Sequence, residues 1–210
     1  MKRILISMLI LSLLATTTVP AINVMAGETT TTTTTQSSQI RAYESYLKYE
    51  PILKYDTKKT YDGTNTYVDL TEHLDTVKNL SEGTIAIKFK TNVRKTEQTL
   101  FSISDKGDPK SYFEIKLING DIRVETFENR QDKMCYRTAN KNYVDGQWHT
   151  AVINSGPLGT FLYMDGEKVV EFPTHKNKLI SLVEDTDSMN IGRIVKNSTP
   201  TSYFTGEIEY

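Results

Sequence analysis

Residues 111–126 read SYFEIKLINGDIRVET, two alternating runs joined by Asn119-Gly120. Asn-Gly is the pair that a two-residue type I′ hairpin turn favours, because both of its positions take φ > 0. A turn there predicts Lys116 opposite Arg123, Glu114 opposite Glu125 and Tyr112 opposite Phe127. The other face is then Phe113, Ile115 and Leu117 beside Ile122 and Val124, an unbroken apolar set that marks the core side. On the charged face like sits opposite like, which costs stability unless diagonal Glu114/Arg123 and Lys116/Glu125 pairs or a ligand compensate. Such a face reads either as a binding surface or as a solvated outer face laced by ion pairs.

Alternating runs recur at residues 84–89, 99–104, 112–117, 122–127, 149–153, 160–164, 168–172, 189–191 and 207–210. Asp-Gly at 62, 145 and 165 and Gly-Pro-Leu-Gly at 156–159 punctuate them. Many short strands separated by turn signals predict an all-β antiparallel sandwich. One short amphipathic helix is expected near the front, where Leu70, Leu74 and Val77 fall at helical spacing behind a Thr71 cap, to cover an end of the sandwich. The Tyr-rich stretch from Tyr43 to Tyr55 fits either a short helix ended before Pro51 or an extended lead-in strand. Residues 206–210 read as the opening half of a strand, which suggests a fragment whose last strand is truncated.

The amino terminus has the layout of a secretory signal peptide over residues 1–26: basic Lys2 and Arg3, the apolar run from Ile4 to Leu14, and Ala26 as the expected last residue removed. That run is too short to span a membrane. Residues 27–39 hold the threonine tract from Thr29 to Thr35 and a Gln/Ser patch, with nothing apolar enough to fold, and read as a tether. Residues 40–210 are one domain's worth of chain. The mature protein is expected to be secreted or extracellular, with the cell surface as a further location. A formal net charge of −1 provides no global basic field for nucleic acid or an anionic membrane. The single cysteine, Cys135, excludes an intrachain disulfide and reads as a small buried apolar residue.

Signals for catalysis are sparse. The three histidines, His73, His149 and His175, lack Cys or His partners at ligand spacing, and no Gly-rich phosphate loop or G-x-S-x-G elbow is present. A sandwich glycanase needs paired carboxylates a few Å apart; Glu207 and Glu209 share a face but read as a solvated strand. No cofactor is expected. Calcium is the one metal considered, at Asp185 and Asp187 near Glu184, although their spacing fits no recognised loop. Trp148, the only tryptophan, begins a strand after Gly146 and reads as a packing anchor for one edge of the core.

The succession Gly146-Gln-Trp-His149, strand, and hairpin at Asp165-Gly166 resembles concanavalin A-like and laminin-G-like jelly rolls. A more specific resemblance covers roughly residues 51–210. Val68-Asp-Leu-Thr-Glu-His-Leu74, Leu80-Ser-Glu-Gly-Thr-Ile-Ala-Ile-Lys-Phe-Lys90, Thr99-Leu-Phe-Ser-Ile-Ser104, the Asn-Gly hairpin, Asp145-Gly-Gln-Trp-His149, Asn190-Ile-Gly192 and Tyr203-Phe-Thr-Gly-Glu-Ile208 are similar to the amino-terminal lectin domain of secreted bacterial sialidases, the family 40 carbohydrate-binding module. The resemblance implies a jelly-roll sandwich that binds terminal sialic acid without catalysing its release, beside a catalytic β-propeller in the parent chain. Sialylated glycans or glycoproteins are its implied partners, with no nucleic acid and no membrane insertion.

Carried over residue by residue, the family's glutamate falls on Glu125. The arginine expected two residues later is Phe127, which has no guanidinium to grip a carboxylate. Arg123 is the nearest cation on that face, with Lys116 across from it and Tyr112 beside them. A second family arginine falls on Lys196, with Arg193 as the nearby alternative, and a tyrosine falls on Tyr203. The rival reading of the same residues is a laminin-G-like adhesion domain that binds a protein or another glycan, sialic acid binding having been lost.

Overall fold

The computed structural model describes Leu53 and residues 58–209. The signal-peptide, tether and Tyr-rich lead-in readings lie outside these residues, Leu53 apart. Two six-stranded antiparallel sheets face each other as a jelly-roll sandwich. The first runs, in spatial order, β1 (Lys58–Asp62), β14 (Thr205–Glu209), β3 (Gly83–Lys90), β8 (Trp148–Gly156), β9 (Gly159–Met164) and β10 (Glu167–Phe172). The second runs β2 (Val68–Asp69), β11 (Ser188–Ile191), β4 (Gln98–Ser104), β5 (Tyr112–Ile118), β6 (Asp121–Glu128) and β7 (Gln131–Arg137). A separate hairpin, β12 (Ile194–Lys196) and β13 (Thr199–Thr201), completes the strands.

The β5–β6 hairpin has the expected register, with Lys116 opposite Arg123, Glu114 opposite Glu125 and Tyr112 opposite Phe127. Asn119 at φ 50° and Gly120 at φ 97° both adopt the left-handed backbone that the turn requires. Phe113, Ile115, Leu117, Ile122 and Val124 are buried and belong to the one large core. From the first sheet that core receives Ile85, Ile87, Phe89, Ile153 and Leu162. The alternating pattern therefore fixes which face of each strand points at the other sheet.

Thr71–His73 form a 3₁₀ turn that continues into α1 (Leu74–Val77). Leu70, Leu74 and Val77 are buried as the spacing predicted. Thr71 is not the cap. Its N–H donates to Asp69 Oδ1 (2.9 Å), while its own hydroxyl accepts the Met189 N–H (3.2 Å) and ties the turn to β11. Trp148 is likewise not a core anchor: it pairs with Lys90 and lies half-buried on the outer face of the first sheet, its ring 4.9 Å from Lys88 Nζ and 5.2 Å from Lys58 Nζ. Alternation decides this, because Ala151 and Ile153, an odd number of residues away, point inward. Cys135 pairs with Glu125 and is half-exposed on the outer face of the second sheet, not buried in the core.

Candidate functional site

The outer face of β4–β7 carries an unusual burden of charge for a buried surface. Glu114 is 0% exposed, Lys116 3% and Glu125 4%. β12 lies across the β4 part of this face, where Ser102 and Ser104 donate their hydroxyls to the carbonyls of Arg193 and Val195, both at 2.8 Å, and brings Lys196 onto Glu114. Lys116 Nζ donates to Glu97 (2.6 Å), Glu114 (2.9 Å) and Glu125 (2.7 Å). An ammonium has three N–H donors, and here each has its own carboxylate.

Glu114 also accepts the Thr99 hydroxyl (2.5 Å) and Lys196 Nζ (3.2 Å). Glu125 accepts the Tyr112 hydroxyl (2.7 Å), and its second oxygen lies 2.7 Å from Arg123 Nε. That last contact is an ion pair without a hydrogen bond, since the buried Nε–H is not directed at the oxygen. Three carboxylates (Glu97, Glu114, Glu125) thus meet three cations (Lys116, Arg123, Lys196).

Burial alone would raise the Glu125 pKa; Lys116, Tyr112 and Arg123 outweigh it and hold the carboxyl below its ordinary value. Burial and the neighbouring Glu125 push the Tyr112 phenol well above its usual range. Burial opposes the charge on Lys116, yet Glu114 and Glu125 overcome it and raise its pKa. Glu125, Lys116 and Tyr112 are therefore each held in their ordinary charge state at neutral pH.

Above this cluster Tyr112 and Phe127 stack, with ring centroids 5.8 Å apart and planes 17° off parallel. Lys196 Nζ sits 3.6 Å from the Tyr112 ring centroid and Lys110 Nζ 5.1 Å from that of Phe127. The Tyr112 ring is buried between Phe127 and Lys196, and Phe127 is the half-exposed ring of the pair, with cations beside it and the ionic cluster beneath.

A family model described as the sialidase N-terminal domain matches residues 53–210. The chain belongs to that family. Among solved structures, this sialidase N-terminal domain is similar to the CBM40 of the Ruminococcus gnavus IT-sialidase bound to α2,3-sialyllactose, at 22% identity and a TM-score of 0.63, over 73% of this chain and 88% of that one. The same module bound to α2,6-sialyllactose is 21% identical, with a TM-score of 0.62, over 73% of this chain and 90% of that one. A leech intramolecular trans-sialidase is 17% identical with a TM-score of 0.62; the match takes in 73% of this chain and 25% of the enzyme. These identities speak to the fold. No curated protein matches the chain in sequence.

In this sialidase N-terminal domain, Arg123, Glu125, Phe127, Tyr112, Lys116 and Lys196 converge on one face. Two expectations need correction. Lys116 does not present its charge outward, because three carboxylates consume it. Arg123 pairs with Glu125 on its own strand and not diagonally with Glu114, which Lys116 and Lys196 occupy. Arg193 is committed elsewhere: its guanidinium carbon lies 3.2 Å from the Tyr67 ring centroid and its Nε donates to Asn190 (2.9 Å). Tyr203 is held through its backbone, its carbonyl accepting Lys95 Nζ at 3.2 Å.

Glu97, Thr99 and Lys110 escape a reading of the sequence. Glu97 and Lys110 lie in loops without periodicity, and Thr99 faces outward only because β4 is bulged between Thr99 and Phe101. Asp187, considered above for calcium, is engaged by the Lys106 N–H (2.8 Å) and Nζ (3.6 Å). Among the described residues no group of three or more His, Cys, Asp or Glu is arranged to hold a metal ion.

Proposed function

We propose that this domain is a non-catalytic carbohydrate-binding module that recognises terminal sialic acid on the outer face of its second sheet and targets an exported sialidase to sialylated glycans. The observation that carries the proposal is the stacked Tyr112–Phe127 pair, rimmed by Lys196 and Arg123 over the buried Glu114–Lys116–Glu125 network. The sugar lies on the half-exposed Phe127, backed by the buried Tyr112 ring, and Phe127 takes its apolar side. Its carboxylate is met by the Arg123 guanidinium and the Lys196 ammonium, whose side chains are 29% and 19% exposed. Buried Lys116 is a positioning residue: it aligns Glu114 and Glu125, which hold Lys196 and Arg123 in turn. The R. gnavus modules bound to sialyllactose, which share this fold, support the ligand class.

In the parent chain a catalytic β-propeller is proposed to follow. The matches to the leech protein and to the NanB sialidase of Streptococcus pneumoniae each span a quarter of that enzyme. A tethered second contact raises the effective concentration of substrate at the catalytic domain, so weak single-site binding suffices.

Titration of 3′-sialyllactose into the protein, followed by NMR, tests the assignment. Saturable shifts at Phe127, Arg123 and Lys196 are expected, with affinity falling about tenfold in Arg123→Ala, the loss of one charge-assisted contact. An unperturbed spectrum at millimolar sialyllactose would leave the adhesion-domain reading in its place.

A further inference from the structure

Register places three cations side by side across the second sheet: Lys116 on β5, Arg123 on β6 and Arg137 on β7. Like charges directly opposite each other on neighbouring strands are destabilising. The first two have carboxylate partners. Among the described residues Arg137, at the exposed edge strand, has none.

Arg123 and Arg137 also line one cavity of ≈ 330 Å³ at the end of the β5–β6–β7 ribbon, with Asn119, Asp121, Thr138 and Asn140. Asp121 is the carboxylate in that wall, and its Oδ1 is engaged by the Thr138 hydroxyl (3.1 Å) and the Lys141 N–H (2.9 Å). Charge therefore favours an anion here, and the volume admits a carboxylate or sulfate with part of the sugar that carries it. Asp132 and Cys135, the remaining titratable groups near Arg123, flank it from β7.

We infer that this cavity is a second anion subsite, formed by Arg137 beside Arg123, which makes the module selective for glycans carrying an acidic group on the residue next to the terminal sialic acid. The shared chemistry is a second carboxylate, from another sialic acid, or a sulfate ester. The inference rests on the sialic acid reading above for its first subsite. An edge-strand arginine in a polar cavity can turn its planar fork onto either group without disturbing the core.

The test compares sialyllactose, disialyllactose and a sulfated sialyllactose by calorimetry with the protein and with Arg137→Ala, alongside an NMR titration with inorganic sulfate. The protein is expected to bind at least one doubly acidic glycan about fivefold more tightly than sialyllactose, the strength of one exposed ion pair. In Arg137→Ala the ratio falls to about one. Preference for the disialoside alone identifies the carboxylate source, and preference for the sulfated glycan alone the sulfate. Equal affinities in the protein, or a preference that survives Arg137→Ala, overturns the inference while leaving the sialic acid reading intact. If no sialoside binds, that reading fails by itself and sulfate decides: shifts at Arg137 and Asn140 that vanish in Arg137→Ala uphold an anion site, and their absence removes it.

Discussion

Lys116 donates each of its N–H bonds to a different carboxylate, and its removal strands the buried charges of Glu114 and Glu125. Breaking a buried ion pair by deleting one partner costs about 3 kcal/mol or more. Lys116→Met is therefore expected to lower unfolding stability by that amount in urea, and a loss below about 1 kcal/mol would show the network to be dispensable. Glu125 adds a pH dependence of definite sign. Its folded pKa is depressed, so its contribution is present above the unfolded value near 4.5 and is lost as pH falls through the folded value. Glu125→Gln should flatten the stability profile in that acid window and leave its slope above pH 6 alone. The sequence identified the charged face and the Lys116–Glu125 pair but not the partner of Arg123, because alternation orders residues along a strand and says nothing of which distant strand, here β12 with Lys196, reaches Glu114 instead.

Hairpins show why some elements were legible and others were not. The Asn119-Gly120 and Asp165-Gly166 turns announce themselves by glycine. The turn between β6 and β7 uses Asn129 and Arg130, at φ 52° and 61°, and that between β12 and β13 uses Asn197 and Ser198, at φ 51° and 56°. The same backbone geometry is built there without glycine, so β7, β12 and β13 carried no turn signal, and β7 opens with the polar run Gln131-Asp-Lys. A left-handed conformation costs an ordinary residue about 1 kcal/mol. Arg130→Gly should therefore raise the melting temperature by several degrees; a drop would mean that the Arg130 side chain contributes more than its backbone costs. The β8–β9 region offers a second element-scale test. His149 lies between Asp165 (Nδ1, 2.8 Å) and Asp145 (Nε2, 3.0 Å), clamping two Asp-Gly turns. Burial opposes its charge, but the two carboxylates prevail and raise its pKa above 6.5. Its stabilisation is then complete below pH 6.5 and fades as pH rises through the folded value. His149→Gln should abolish that decline, measured as the urea midpoint between pH 6 and 9.

Across the whole molecule, the strand faces and the sandwich class were readable from period-2 patterning, whereas the joining of the two sheets was not, because it depends on contacts between residues far apart in sequence. Gly192 is the clearest case. It follows β11 in the second sheet, donates its N–H to Leu100 (3.0 Å) and accepts the Phe204 N–H (2.9 Å). Tyr61 of β1, in the first sheet, packs against it and meets Phe204 edge-on at 5.9 Å. A Cβ at position 192 would lie 2.5 Å from Tyr61 Cδ1, and the backbone there has φ +82°. Tyr61 is only 1% exposed and has no room to withdraw. The same junction launches β12, and with it Lys196, across the candidate site. Core closure and the proposed ligand recognition would thereby be coupled through one glycine. Gly192→Ala is expected to cost about 2 kcal/mol or more, from strain and overpacking together, and to weaken sialyllactose binding as well. Lys196→Ala, by contrast, should weaken binding with a smaller loss of stability than Lys116→Met, because Glu114 keeps Lys116 and Thr99 as partners. The coupling is refuted if Gly192→Ala loses stability yet retains full affinity for sialyllactose under conditions where it remains folded.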